Sequence, residues 1–281
     1  MSVMMTNFNG QFGEISFIKN FIDDNKKNLI PKTCVEFGAY DGISNSNTIY
    51  FWKKKQYKSL LIEPNLDLFN KLKKNTDNYK NCITVNEYIT PKNNLNSIIK
   101  KYNFPREIGV LSIDIDSNDL EVFRSLNHST THIVIIEFNN QLPVWSDYED
   151  PKGYVVFRHS ALATLKTAEK LGYVLLACKG PNLILANKNN LSFKKIRKIN
   201  LIDCFDYDAQ NKACKDSRII GSKFTTNAKA FSVKPNFFLK IKKYFYQLIL
   251  IVNYSLRQKK IPSSKIPDIV RKKLEKSGLY F

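Results

Sequence analysis

Between residues 33 and 186 short apolar runs alternate with stretches whose apolar positions recur every three to four residues, the rhythm of strands joined by crossover helices. The runs at 34–38, 59–62, 82–85, 109–115 and 132–138 are rich in Val, Ile, Leu or Phe, which predicts buried central strands. Helices are expected near 47–55, 66–74, 95–102, 120–126 and 161–171, the last stopping at Gly172, with Asn65 and Asn118 as N-caps. Two further apolar runs, 173–178 and 182–186, flank Lys179-Gly180-Pro181, a turn signal that predicts an antiparallel hairpin at the sheet edge. The expected fold class over residues 1–190 is therefore α/β, a Rossmann-like doubly wound, mostly parallel sheet ending in an antiparallel hairpin. From 191 the pattern loosens into Lys, Asn and Ser and recovers between 237 and 256, so 191–281 are expected to form a basic extension with helices.

Charge changes this picture in one respect. The 281 residues carry 44 Lys and Arg against 25 Asp and Glu, a net charge of +19, of which +15 falls on 191–281. So basic a tail attracts an anionic partner: nucleic acid, a lipid surface, or an acidic or phosphorylated glycan. The thirteen residues between Lys243 and Arg257 are mostly apolar at helical spacing. A bilayer takes about 20 residues to cross, so this stretch is expected either to pack on the main domain or to lie in an anionic membrane interface. The five cysteines, Cys34, Cys82, Cys178, Cys204 and Cys214, form no Cys-x-x-Cys pair, and the first 21 residues show no basic-then-apolar leader. The expected location is a reducing cytoplasm, with peripheral contact to the inner face of a membrane through the tail.

The segment VEFGAYDG, residues 35–42, puts Glu36 at a strand end, followed by Gly38 and Gly42. A dinucleotide site uses G-x-G-x-x-G so that backbone and helix N-terminus can meet a pyrophosphate, and here the second glycine is missing. S-adenosylmethionine has no phosphate. Its ammonium suits an acid such as Glu36 or Asp41, and Gly38 lets the backbone approach closely. Twenty-one residues after Gly42 the strand LLIEP ends on Glu63, the spacing at which an acid on the second strand grips both ribose hydroxyls. The two features agree on an adenosyl ligand.

In SIDID, Asp114 and Asp116 stand two apart on a strand and point to one side, at the carboxyl edge where open α/β sheets bind ligands. Methyl transfer to oxygen requires alignment of the donor and removal of a proton from a neutral alcohol. Two carboxylates serve this either by splitting their pKa values, so that one becomes the better base, or by sharing a divalent cation that acidifies the hydroxyl. Glu137 and Asn139 close the fifth strand on the same edge, as candidates for holding acceptor hydroxyls or seating a metal. His159, in FRHSAL, is a further candidate base, and Trp145, Tyr148 and Tyr154 before it offer rings that stack on a sugar. Asp119 reads as a helix cap, and His128 and His132 as exposed or packed side chains.

The segments NGQFGEISFI, VEFGAYDGISNSNT, LLIEPNLDLFNKL, ITPKNNLNSII, VLSIDIDSNDLEVF and VIIEFN, in this order across residues 9–190, resemble the FkbM-type methyltransferase family. The resemblance implies S-adenosylmethionine-dependent methyl transfer to a hydroxyl of a sugar, polysaccharide or secondary metabolite. It also implies that the leading segment with Gln11 and Glu14 folds over the donor site. This chain has Ser117 where the family usually has Gly, and Leu120 where an aromatic often follows. The first change asks Ser117 to enter a turn that Gly enters more easily, and the second alters acceptor packing. Two other classes compete. One is a nucleic-acid-binding or nucleic-acid-modifying protein using the basic tail, although the chain has no Asn/Asp-Pro-Pro-Tyr segment for flipped bases. The other is a methyltransferase-shaped scaffold without catalysis, against which the intact acids count.

Overall fold

The computed structural model describes residues 8–24, 30–142, 144, 146–150, 158–189, 199–210 and 212–213. The expectations for Trp145, Tyr154, Cys214 and the apolar stretch at 237–256 lie outside the described residues. The five apolar runs form β1 (Thr33–Phe37), β2 (Lys58–Ile62), β3 (Cys82–Val85), β4 (Ile108–Ile113) and β5 (Thr131–Glu137), and the predicted hairpin forms β6 (Tyr173–Lys179) and β7 (Asn182–Asn187). They make one sheet in the order β3-β2-β1-β4-β5-β7-β6. β7 alone runs opposite to the direction shared by the other six strands.

Every residue of β1, β4 and β7 is buried, as expected for strands covered on both faces. Alternate residues feed two apolar layers: Val35, Phe37, Leu111 and Ile113 on one face, Cys34, Val110, Ile133 and Ile135 on the other. The first layer receives α3 (Leu95–Lys101), α4 (Asp119–Arg124) and α5 (Ala161–Lys170). The second receives α1 (Glu14–Asp24), which the hydrophobic pattern did not single out, through Ile15 and Ile18, and α2 (Leu66–Thr76) through Leu72. Asn65 caps α2 as expected, accepting from the backbone N–H of Asp67 and Leu68. The thiols of Cys34, Cys82, Cys178 and Cys204 are free. Among the described residues no helix is long and apolar enough to cross a membrane.

Three expectations change. The helix predicted at 47–55 is a single π-helical turn, Tyr50–Lys54, because residues 46–48 are tied by hydrogen bonds to Glu36 instead of starting a helix. Asn118 makes no cap bond; Asp119 instead takes the loop N–H groups of Ile115 and Ser117 before α4. The α/β unit also runs past residue 190. Leu201, at the start of α6 (Leu201–Cys204), and Phe205 are buried in the first apolar layer, Asp206 accepts from Gly180 N–H, and the Gln210 side chain donates to the Leu142 carbonyl.

The tips of β1 and β4 meet at Gly38. Its φ is +72°, and a Cβ there would stand 1.8 Å from the Asp114 carbonyl oxygen, so both the backbone angle and the contact exclude a side chain. Gly38→Ala is expected to lower stability by about 2 kcal/mol or more in denaturant unfolding, from left-handed strain and displacement of the β4 tip.

Candidate functional site

The strand order reverses between β1 and β4, and open α/β sheets bind ligands at such a point, beyond the carboxyl ends of the strands. A cavity of about 740 Å³ lies there, within the range of small-ligand sites. Its walls come from the ends of β1 (Gly38 to Tyr40), β2 (Glu63 to Asn65), β4 (Asp114 to Ser117) and β5 (Glu137), with Ile62, Leu68 and Ile89 as apolar surface. Five carboxyl groups line it, those of Glu36, Glu63, Asp114, Asp116 and Glu137, and the described lining contains no Lys or Arg. In a chain of net charge +19 this is a strong local inversion of sign.

Two of these acids are held by donors of their own loops. Glu36 is buried, and its carboxylate accepts from Ser46 Oγ (2.7 Å), Asn47 N–H (2.6 Å) and Thr48 Oγ1 (2.7 Å). Burial pushes this carboxyl up while the three donors pull it down, with a net rise. Glu63 accepts one backbone N–H on each oxygen, from Tyr40 and Asn65, both at 2.9 Å. Each of its oxygens keeps a second acceptor position. Burial raises its pKa against these two bonds.

Asp114, Asp116 and Glu137 form the second group, with one oxygen of each lying within 4.8 Å of the others. Charges about 4 Å apart repel by about 4 kcal/mol at an effective dielectric of 20, so the cluster needs compensation. The carboxyls of Asp114 and Glu137 are close neighbours in this cluster. Burial, then the neighbouring Glu137 charge, hold the Asp114 pKa well above the carboxylate range. Arg158 supplies positive charge, with Nη1 paired to Glu137 and lying 3.2 Å from Asp116 Oδ1. Sequence reasoning missed this residue. The signal available was a lone Arg beside His159. Behind the cluster, Asp119 is buried on the N–H groups of Ile115 and Ser117, and burial pushes its pKa up to about 7.

Several expected site residues are placed elsewhere. Asp41 lies outside the cavity lining, and its carboxylate accepts from Ile43 N–H, Ser44 N–H and Ser44 Oγ, folding its own loop. Gly42 is also outside the lining and packs against Leu72 of α2. Asn139 is buried, with Oδ1 on the Gln141 N–H, closing the turn after β5. His159 is no base at this site. It is buried outside the lining in a bridge to Glu149, and burial, aided by the Arg158 charge, drops its pKa to about 3. Tyr148 is buried, with its hydroxyl on Asp150. At the β4 tip the left-handed residue is Asp116 (φ +54°), not Ser117, and Leu120 packs into the core. Gln11 reaches the cavity, while Glu14 is buried on Phe12 N–H and the Asn182 side chain. The Phe12 ring seats on Gly180, where a Cβ would come within 2.3 Å. This pins the leading segment to the hairpin.

No protein-family model and no curated protein matches this chain. Similar solved structures include the CMeT domain of the citrinin polyketide synthase, at 14% identity and a TM-score of 0.42 over 65% of this chain. The chain spans 55% of the length of that protein. The N-terminal domain of EvdMO1, solved in the presence of SAH and D-fucose, is 9% identical with a TM-score of 0.42, over 64% of this chain and 83% of that one. The glycopeptide N-methyltransferase MtfA, complexed with sinefungin, is 9% identical with a TM-score of 0.36, over 61% of this chain and 84% of that one. Identities this low leave the chemistry to the residues of the site.

Proposed function

We propose that the chain is an S-adenosylmethionine-dependent methyltransferase acting on a hydroxyl of a neutral polar acceptor such as a sugar. The observation that carries the reading is the acid-lined cavity at the switch point, whose described walls carry five carboxyl groups and no Lys or Arg, only two of the five being paired with Arg158 behind them. A dinucleotide would bring a pyrophosphate into this field and be repelled. S-adenosylmethionine carries a sulfonium and an ammonium against one carboxylate, and its net charge is of the sign the cavity favours. The same field disfavours a phosphodiester, which counts against a nucleic-acid substrate at this site.

The residues divide the work by position. Glu63, with a second acceptor position on each oxygen, suits the two ribose hydroxyls, and Ile62, Leu68 and Ile89 provide apolar surface for a purine. Gly38 permits close backbone approach, and Glu36 fixes the 46–48 segment and adds negative potential. When bound, the donor supplies an electrophilic methyl carbon. Asp114 then takes the proton of the acceptor hydroxyl, and its raised pKa makes it a stronger base than an ordinary carboxylate once it is ionised. Asp116, 65% exposed at the side chain, stands where an acceptor meets solvent. The motif resemblance to FkbM-type enzymes supports oxygen as the accepting atom and a sugar as the acceptor.

Calorimetry on the full chain tests the donor site. Glu63→Ala is expected to weaken S-adenosylmethionine binding about tenfold to a hundredfold, the worth of one or two charged hydrogen bonds, with a smaller loss for Glu63→Gln. An affinity unchanged by both substitutions would remove Glu63 from the site, and wild-type chain that takes up no S-adenosylmethionine would end the reading.

Asp114 sets a pH dependence. Its proton must leave before it accepts another, so methyl transfer is lost as pH falls and rises through an apparent pKa above the ordinary carboxylate range. Asp114→Asn is expected to slow transfer by about a hundredfold or more and abolish that limb of the profile. A profile unchanged in the variant would assign the base elsewhere.

A further inference from the structure

Three carboxyl groups converging at the mouth of a cavity commonly belong to a bound divalent cation, yet here a side chain of the protein already stands among them. We propose that Arg158 is the resident cation of the Asp114, Asp116 and Glu137 cluster, holding with its guanidinium the place a divalent metal would take, so that the site works without one. The contacts carry this. Arg158 Nη1 pairs with Glu137 and Asp116 together, spanning two of the three carboxylates from one atom, and its side chain is only 12% exposed.

The backbone is shaped for this delivery. Arg158 has φ +65°, a left-handed conformation rare for a residue with a side chain. A double clasp holds it there: its N–H donates to Asp150 Oδ2 at 2.7 Å, and its carbonyl accepts from Asp150 N–H at 2.9 Å. Asp150 is in turn engaged by the Tyr148 hydroxyl at 2.8 Å, and the next residue, His159, bridges to Glu149 and accepts from Asn139 N–H through its carbonyl. Strain of this kind persists where surrounding contacts over-determine it, as these do.

Arg158 is thus a positioning residue. It fixes Glu137 and Asp116, and among the described residues its ion pairs leave out Asp114. A metal at the same point would bind all three carboxylates and hold each of them ionised. A guanidinium cannot be displaced by chelation, and its planar fork sets direction as well as charge.

The test is direct Mn²⁺ binding to the full-length protein, read from the electron paramagnetic resonance signal of the free ion. Wild-type protein and Asp114→Asn are expected to bind Mn²⁺ indistinguishably, since the cluster admits no metal. Arg158→Met is expected to gain one site, at least about tenfold tighter than any in the wild type, lost again when Asp114→Asn is added. Arg158→Lys, which keeps a cation, is expected to gain none. One equivalent of Mn²⁺ bound by wild-type protein and lost in Asp114→Asn would overturn the proposal, as would a folded Arg158→Met protein, checked by thermal unfolding, that gains no site. Should Arg158→Met fail to fold, the wild-type and Asp114→Asn pair decides alone. These outcomes do not depend on methyl transfer, so a chain that binds no S-adenosylmethionine leaves them unchanged.

Discussion

Carboxyl groups crowded at one edge of a sheet repel one another, and the architecture of this edge is set by how each is compensated. Glu36 draws in residues 46–48 and so replaces a helix with a tied loop and a short π-helical turn. Glu63 takes the N–H groups of Tyr40 and Asn65, which joins the loop after β1 to the cap of α2. Asp119 holds the turn out of β4. Glu137 and Asp116 are met by Arg158, while Asp114 stands outside those pairs with its pKa raised by burial. Their joint result is an acid-lined cavity with fixed walls, which the proposed function reads as a preorganised site for a cationic ligand.

The sheet was legible in the sequence because its strands are covered on both faces and therefore appear as unbroken apolar runs; only their ends moved, by a residue or two. The hairpin was legible from Gly180 and Pro181. What was not legible depended on polar contacts between distant positions. Nothing in the spacing of Ser46, Asn47 and Thr48 announces that all three bind one buried carboxylate. The helix Glu14–Asp24 went unnoticed although its Ile15 and Ile18 are fully buried, because charged and polar residues dilute so short an apolar stripe. Placing a boundary at 190 relied on composition, whereas Leu201 and Phe205 belong to the core by packing.

The site divides along the same line. Glu36, Gly38, Glu63, Asp114, Asp116 and Glu137 were expected at strand ends and do line the cavity, since topology alone brings strand ends together. Asp41, Gly42 and Asn139 share the neighbourhood in sequence, but their own turns consume them. His159 looked like a base because residue type was the only guide, and burial makes it a poor one. Arg158 could not be found by spacing: its partners lie 21 and 42 residues away on two other strand ends.

The contrast between a net charge of +19 and a cavity walled by acids is the chief functional statement of the molecule. Most of the positive charge, +15, lies on residues 191–281, and under the proposed function the acid-lined cavity selects among adenine-bearing ligands by the charge of the group carried on the ribose. Titrating the intact chain with S-adenosylmethionine and, separately, adenosine monophosphate isolates that property, since both offer adenine and ribose. Preference for S-adenosylmethionine by at least about tenfold is the expected result, and adenosine monophosphate binding as tightly or more tightly would contradict it.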